Sequence, residues 1–194
     1  MFNPVTTLQK YCFQCTVSKA KFRVKKEDSK KWNNEKKILI EKIKTLSDYK
    51  NDLQAEINKI ARLIDYGHNC ISCGGVPKKI NGCHFHSVGS NPALRFNLLN
   101  IYLGCEHCNS FKGGNVHGYI DGLIREFGKE FYEYLKFELP QKYSILQLNK
   151  VEIKEKIKIA KDIVKVLNND KEVLNNEQRI ELRKIINEQI GIYG

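Results

Sequence analysis

The sequence lacks any long apolar run. No stretch approaches the roughly 18 uninterrupted apolar residues that a membrane-spanning helix needs. The first residues, MFNPVTTLQKYC, also lack an apolar segment behind basic residues, so they do not resemble a secretory signal. We therefore expect no membrane partner and a cytoplasmic location.

Acidic residues are scarce relative to basic ones. The 22 Asp and Glu residues face 33 Lys and Arg residues, which gives a net charge of +11. This excess favours a polyanionic partner, because Lys and Arg that contact phosphates release bound counterions. Charged residues make up 28% of the chain, so we expect a modest core with amphipathic helices rather than one core that uses every residue.

The basic charge is concentrated near the N-terminus. Residues 10–44 carry twelve Lys and Arg against four acidic residues. This composition is typical of a solvated helix or a disordered arm, and it also suits an arm that binds the DNA backbone and orders on binding. The sequence therefore predicts a basic N-terminal arm over residues 1–46.

Apolar periodicity predicts helices on both sides of a compact central region. The segments are 47–65, 116–137 with a break at Gly128, 147–167 and 175–190, and Pro140 is expected to end the second of them. Two short β-like runs lie at 76–86 and 100–104. The last two helices carry no recognisable chemistry, and core packing, DNA approach and dimer contact all remain open for them.

The seven cysteines do not suit a disulfide framework, because their number is odd and the expected compartment is reducing. Four of them form two CxxC pairs, Cys70–Cys73 and Cys105–Cys108. Two such pairs can supply a closed tetrahedral Cys₄ zinc site, which is structural because no coordination position is open. A redox CxxC is a poorer interpretation, since there are two pairs and no thioredoxin-like βαβ pattern.

The segment between the two pairs carries the candidate chemistry. It has 31 residues, more than the roughly 15–20 of a plain zinc ribbon. Its order, His84 and His86, then Asn100, then Asn109 directly after the second pair, matches the HNH or ββα-metal nuclease arrangement. There, one strand ends in a general-base His, a second strand carries an orienting Asn, and the following helix presents a metal ligand.

These residue types suit phosphodiester hydrolysis. A neutral His can remove a proton from water near pH 7, and a hard cation bound by amide oxygen and water can stabilise the developing charge. Asn109 follows a predicted zinc ligand, so its backbone would be fixed. Alone, each of these residues is more typical of a half-buried histidine or a turn asparagine; their joint order within two CxxC pairs favours a site.

A longer set of motifs resembles one family, the NinG/Rap recombination nucleases of bacteriophages, over about residues 15–137. The motifs are Cys70-Ile-Ser-Cys73-Gly74, His84-Phe85-His86-Ser87-Val88-Gly89, Ala93-Leu94-Arg95-Phe96-Asn97, Asn100, Cys105-x-x-Cys108-Asn109 and Gly114-Asn115-x-x-x-Tyr119. The resemblance implies a phage-encoded endonuclease that cuts branched DNA, such as Holliday junctions and D-loops, and it adds other phage recombination proteins to the expected partners.

The chain departs from the family pattern at three places. Cys83 stands where many HNH nucleases have an acidic or His ligand, and Cys would favour Zn²⁺ or Mn²⁺ over Mg²⁺ unless His86 is the ligand. The base is accordingly either His84, which we favour, or His86. Tyr102 replaces a frequent His, and Cys12 and Cys15 form half of a zinc site without a second pair, so we interpret them as a remnant or a surface pair.

Taken together, the sequence predicts an α+β fold with a zinc-stapled ββα-metal (HNH) core. That core occupies residues 47–137, between the basic helical arm and a C-terminal helical region over 138–194. Zn²⁺ would be structural, Mg²⁺ or Mn²⁺ catalytic, and a homodimer is expected because two subunits can cut two strands. The predicted residue roles are His84 as base, Asn100 as its orienting partner, Asn109 as metal ligand assisted by His86 or Asn115, and Arg95, Lys78, Lys79 and Lys112 as DNA contacts.

Three alternatives stay open. A zinc module that only binds DNA, or that bridges recombination proteins, needs the four cysteines and the basic arm but not His84. A nuclease directed at RNA would use the same core. Arg95, finally, could form structural hydrogen bonds to loop carbonyls instead of contacting phosphate.

Overall fold

The computed structural model describes residues 10–193. The chain divides into two compact units, Met1–Thr45 and Leu46–Gly194. The described part of the first unit is dominated by one helix, α1, Phe13–Ile43, none of whose residues is buried. Of the two structural alternatives for this basic segment, the chain adopts the solvated helix. Cys12 caps its N-terminus by accepting a hydrogen bond from the Cys15 backbone N–H at 3.4 Å, and Cys15 is exposed.

The second unit is built on helix α2, Leu46–Ile64. Its apolar residues recur at helical spacing, and Leu53, Ile57 and Ile60 are fully buried. Helix α6, Lys150–Asn169, packs along the same core with Ile153, Ile157 and Ala160, and α7, Asn176–Ile190, adds Ile186 and Ile190. The helices predicted beyond residue 138 therefore complete the core of α2 and belong to the same unit as residues 46–137.

A two-stranded antiparallel sheet lies against α2. Strand β1, Ile80–His84, pairs with β2, Ile101–Cys105, so that Cys83 is opposite Tyr102 and His84 opposite Ile101. The connection between the strands contains two short 3₁₀ turns, Pro92–Leu94 and Leu98–Asn100. After β2 the chain forms a π-helical turn, His107–Phe111. The described residues thus form a mostly helical α+β fold with one small sheet.

A second group of helices covers the other side of the sheet. Helix α3, Val116–Phe127, ends at Gly128, whose φ of +88° confirms the predicted break. Helix α4, Lys129–Glu133, a π-helical segment, Tyr134–Glu138, and helix α5, Leu139–Lys142, follow. The expectation that Pro140 ends this segment is wrong. Pro140 lies in the first turn of α5, where the missing N–H removes no helical hydrogen bond.

Two glycines let α3 approach the first cysteine pair closely. A Cβ atom at Gly122 would overlap the carbonyl of Ile71, and one at Gly118 would overlap the carbonyl of Ser72. Any side chain at either position would push α3 away from the loop that carries Cys70 and Cys73. The glycines therefore fix the helix against that loop.

A buried cluster of charge holds α7 to the rest of the unit. Asp65 accepts hydrogen bonds from Arg179 Nε at 2.9 Å, from Arg183 Nη2 at 2.7 Å and from the Leu103 backbone N–H at 2.8 Å. Burial raises the pKa of Asp65, but the two guanidinium groups outweigh burial and hold it below its usual value. One carboxylate thus joins the end of α2, strand β2 and α7.

We predict that Arg183→Met strongly destabilises the second unit. The Arg183 and Asp65 side chains are both 0% exposed, and removing one partner of a buried ion pair typically costs about 3 to 5 kcal/mol. The free energy of unfolding, measured by urea denaturation, should fall by that amount. Lys184→Met is the matched control. Lys184 is the next residue in the sequence and its side chain is 53% exposed, so this substitution should change the free energy of unfolding by less than about 0.5 kcal/mol. Equal effects of the two variants would contradict the importance of this cluster.

Candidate active site and metal centre

The four cysteines of the two CxxC pairs converge. Cys70 and Cys73 lie in the loop after α2, Cys105 ends β2, and Cys108 lies in the π-helical turn. Their Sγ atoms all lie within 4.8 Å of one another, and those of Cys73 and Cys105 are 3.9 Å apart. In a tetrahedral zinc site with bonds of about 2.3 Å, the sulfurs are separated by about 3.8 Å. The predicted ligand set is therefore brought together, and it can hold a metal ion such as zinc.

The local backbone favours the thiolate form of Cys70, whereas burial and the neighbouring thiols raise the pKa of Cys108 to about 12. The Cys105 backbone N–H donates to Cys70 Sγ at 3.2 Å, and the Cys108 N–H donates to Cys105 Sγ at 3.3 Å. Burial raises the pKa of Cys70, but hydrogen bonds from N–H groups of Cys105, Cys73 and Ser72 outweigh it and bring the pKa to about 7. Amide groups aimed at sulfur preorganise this cluster for a cation.

Cys83 lies near this cluster but outside it. It is buried on β1, and a Cβ atom at Gly104 of the paired strand would overlap its sulfur. Burial and the nearby sulfurs of Cys70 and Cys105 raise the pKa of Cys83 to about 12. Cys83 does not line the cleft described next, so its position does not support a role as a replacement for the acidic ligand.

An open cleft of about 300 Å³ lies beside the metal centre. The end of β1 forms one wall, and the π-helical turn and the start of α3 form another. The two predicted functional residues that line it are His84 and Asn109, and Asn109 is exposed. The other lining residues are Phe85, Ser87, Val88, Gly113, Gly114, Val116 and Tyr119.

The backbone sets the protonation of His84. Its Nε2 atom lies 2.9 Å from the carbonyl oxygen of Arg95. A carbonyl oxygen only accepts hydrogen bonds, so Nε2 carries the proton and Nδ1 keeps a lone pair. Burial lowers the pKa of His84 below its ordinary value of 6.5, which keeps the ring neutral at pH 7. The imidazole is therefore in the form that a general base requires.

Asn100 has a different role from the one expected. Its fully buried side chain does not bond to the imidazole of His84. Nδ2 donates to the carbonyls of His86 at 3.0 Å and Leu94 at 3.2 Å, and Oδ1 accepts from the His86 N–H at 2.7 Å. Asn100 thus holds the chain just after β1, at His86, and the first 3₁₀ turn, at Leu94. The atom that contacts His84 directly is the Arg95 carbonyl oxygen. The predicted partnership is corrected to an indirect, positioning one.

His86 and Asn115 both point away from the cleft. His86 Nε2 bonds to the carbonyl of Leu135 at 2.8 Å. Asn115 adopts a φ of +47°, and its Nδ2 donates to the carbonyl of Ser72 at 3.4 Å and to Cys108 Sγ at 3.6 Å. Neither residue lines the cleft. Of the two candidate histidines, His84 lines the cleft and His86 does not, and Asn115 lies beside the four-cysteine cluster.

The four predicted DNA contacts are placed differently from one another. Arg95 is half-buried, and its Nη2 donates to Asn51 Oδ1 of α2 at 2.7 Å, so its structural bond is to a side chain rather than to loop carbonyls. Lys79 pairs with Glu106 at 3.1 Å while remaining 74% exposed. Lys78 and Lys112 are exposed, and Lys112 follows the turn that carries Asn109.

Sequence reasoning did not assign Tyr119 to the site. Its hydroxyl donates to the carbonyl of Cys83 at 2.7 Å, next to His84, and its ring lines the cleft. The available signal was the apolar face of α3, which identified Tyr119 as a core residue only.

Among residues 10–193, no helix is both long and apolar enough to cross a membrane.

We predict that Cys108→Ser abolishes stoichiometric zinc binding, because three thiolates and a hydroxyl hold zinc far more weakly than four thiolates. The zinc content of the purified protein, measured by elemental analysis, should fall from about one ion per chain to near zero. Cys83→Ala is the control, since Cys83 lies outside the four-sulfur cluster, and it should keep the metal. Zinc loss in Cys83→Ala, or full retention in Cys108→Ser, would contradict the ligand assignment.

Comparison with known proteins agrees with the motif pattern. The profile of the family described as "Bacteriophage Lambda NinG protein" matches residues 3–172. Protein ninG of Escherichia phage lambda is 34% identical over 89 residues, and protein ninG of Salmonella phage P22 is 32% identical over 87 residues. The alignment covers 45% of this chain and 44% of the lambda protein, so it spans less than half of either.

No solved structure matches the chain. The family profile, in contrast, extends across α1, the metal centre, the cleft and α6. The chain belongs to the NinG family of bacteriophage proteins.

Proposed function

We propose that this protein is a metal-dependent DNA endonuclease of the HNH, or ββα-metal, type that hydrolyses phosphodiesters in branched DNA during phage recombination. One observation carries the proposal: His84, whose Nε2 bonds to the Arg95 carbonyl, lines a cleft that Asn109 also lines, beside a four-sulfur cluster. The order strand, strand, helix around this cleft agrees with the expected core.

In this proposal His84 is the general base. Its Nδ1 removes a proton from a water molecule, the oxygen attacks phosphorus, and the bond from phosphorus to the leaving oxygen breaks. The hydrogen bond from Nε2 to the Arg95 carbonyl stabilises the imidazolium that forms. A main-chain carbonyl held by the Asn100 network supplies the orientation that a side chain supplies in other general-base sites.

Asn109 would hold the catalytic Mg²⁺ or Mn²⁺ through its amide oxygen. When bound, the ion stabilises negative charge on the phosphorane and on the leaving oxygen. Among the described residues, the four cysteines are the one cluster of three or more His, Cys, Asp or Glu donors. The described residues that line the cleft include no carboxylate, so Asn109 would be one ligand, and waters and substrate phosphate oxygens would complete the coordination of Mg²⁺. We therefore expect the ion to bind together with DNA.

Helix α1 supports DNA as the partner. Lys19, Arg23, Lys26, Lys30 and Lys37 recur at helical spacing, so they lie along one face of this solvated helix. No acidic residue interrupts that face between Lys19 and Lys37. A continuous row of exposed cations fits a phosphate backbone, and counterion release favours the contact.

The preference for branched DNA and the homodimer rest on the family resemblance. Two subunits acting together would cut two strands of a junction, which is the reason to propose a dimer. The rival function is a zinc-stabilised DNA-binding module that bridges recombination proteins without cutting. Such a module would not need a histidine that lines a cleft and whose pKa is lowered by burial, and this observation favours the nuclease.

We predict that His84→Ala lowers cleavage by about 10²- to 10⁴-fold, the usual contribution of a general base. The assay follows nicking of a synthetic four-way junction with Mg²⁺ or Mn²⁺ by the zinc-loaded protein. His117→Ala is the control, because His117 is exposed and does not line the cleft. Binding without cleavage by the wild type with every metal would support the rival, and a matched RNA junction tests the RNA alternative.

We also predict the pH dependence of cleavage. A base acts only when deprotonated, so activity should rise with pH and level off above the pKa of His84. Burial places that pKa below 6.5, so the cleavage rate should already be flat between about pH 7 and 8. Single-turnover rates on the junction, measured from about pH 5 to about pH 8.5, test this. A rate that continues to rise tenfold per pH unit above pH 7 would exclude His84 as the base.

A further inference from the structure

Helix α6 carries five lysines on one face. Lys150, Lys154, Lys158, Lys161 and Lys165 follow spacings of 4, 4, 3 and 4 residues, and all five are exposed. At about 100° per residue they fall within an arc of about 80°. The acidic residues of α6 lie outside that arc. We call this set the α6 lysine face.

The face borders a groove between α2 and α6. The groove has a volume of about 540 Å³, and Lys59 of α2 joins four lysines of the face, Lys154, Lys158, Lys161 and Lys165, in lining it. Its two acidic residues each bond to a lysine: Glu56 to Lys59 at 2.9 Å and Asp162 to Lys165 at 2.7 Å. The groove lining is positive because five lysines face these two acidic residues.

Core packing does not require these lysines. A neighbouring side of α6, centred about 90° from the lysines, buries Ile153, Ile157 and Ala160 in the core shared with α2. From Lys150 to Lys165 the face extends over about 22 Å at 1.5 Å per residue, which matches roughly six base pairs at 3.4 Å each. Its length and even spacing suit the sugar-phosphate backbone of a duplex.

A short series of contacts connects this face with the cleft. The Arg95 carbonyl bonds to His84, and the guanidinium of the same residue bonds to Asn51 of α2. Two residues before Asn51, the ring of Tyr49 lies 4.9 Å from the ammonium of Lys154. The N-terminal end of α2 therefore lies between the cleft and the lysine face.

We propose that the α6 lysine face binds the phosphate backbone of a duplex arm of the DNA whose cleaved strand lies in the cleft. The inference rests on the proposed function and gives the C-terminal helices a role in substrate binding. Duplex DNA is favoured over an acidic protein because the face consists of point charges at even spacing. A protein partner would also require apolar anchors, and Val164 and Ile157 in the groove are at most half-exposed.

The test compares two triple variants with equal loss of charge. One is Lys158→Gln/Lys161→Gln/Lys165→Gln on the face. The control is Lys129→Gln/Lys171→Gln/Lys184→Gln, three exposed lysines of the same unit that line neither the cleft nor the groove. Zinc content and unfolding midpoint should match the wild type in both.

Binding of a fluorescent four-way junction and of a linear duplex is measured by anisotropy at about 50 to 200 mM salt. Ca²⁺ replaces Mg²⁺ so that no strand is cut and no chelator removes zinc. Because the slope of log K against log salt is negative, each lost phosphate contact should reduce its magnitude by about 0.9. We expect a decrease of about 2 to 3 for the face variant and of less than about 1 for the control. Equal slopes for the two triples would overturn the proposal, whichever partner the face then binds.

The experiment separates this inference from the proposed function. A wild type that binds but never cuts, together with the expected loss of slope, would remove the nuclease and leave the lysine face as a DNA-binding surface. A wild type that cuts, together with equal slopes for both triples, would leave the nuclease and overturn the surface.

Discussion

Convergence of four sulfurs is the constraint on which the rest of the site depends. The segments that carry Cys70 and Cys105 are joined by 31 residues, and the four thiols bring the loop after α2 to the end of β2 together with the hydrogen bond from the Ile71 N–H to the Leu103 carbonyl at 3.0 Å. A cation at their centre would fix the π-helical turn, and with it Asn109, relative to β1. The glycine contacts of α3 with the first cysteine loop act in the same direction, because they admit no other helix position. A cation there and these glycine contacts would act together with the apolar cluster that includes Ile71, Tyr119 and Leu123 to set the wall opposite His84.

The Asp65 cluster stabilises the other side of the sheet. Its carboxylate receives the Leu103 N–H of β2 and both arginines of α7, so the C-terminal helix is coupled to the strand that leads into Cys105. Buried ion pairs add little net stability against an apolar alternative, but they admit few arrangements of their partners. The candidate site depends on the position of Cys105 at the end of β2, and it therefore requires a specific geometry of this strand.

The sequence predicted the features that local chemistry dictates. The four cysteine ligands, α2, the two strands, the break at Gly128 and the C-terminal helices all follow from spacing and periodicity, and the structure has them. Long-range pairings could not be predicted in this way. Arg179 and Arg183 are typical of a solvated helix, and their burial depends on Asp65, more than a hundred residues away. The same applies to His86, Asn100 and Asn115, whose side chains bond to backbone atoms of distant loops instead of to the cleft.

The hydrogen bonds of Asn100 to backbone atoms indicate how the hairpin orients the His84 side chain. The orienting acceptor for His84 is a carbonyl, and a carbonyl cannot be removed by a side-chain substitution at Arg95. Its position depends instead on the 3₁₀ turn before it, which Asn100 holds through the Leu94 carbonyl, and on the Arg95 side chain bonded to Asn51. The imidazole is therefore aligned by the fold of a loop, and the loop is anchored to α2 and β2. A movement of α2 relative to the hairpin would reach His84 through two hydrogen bonds, Asn51 to the Arg95 side chain and the Arg95 carbonyl to His84, so the helix next to the lysine face helps to position this imidazole.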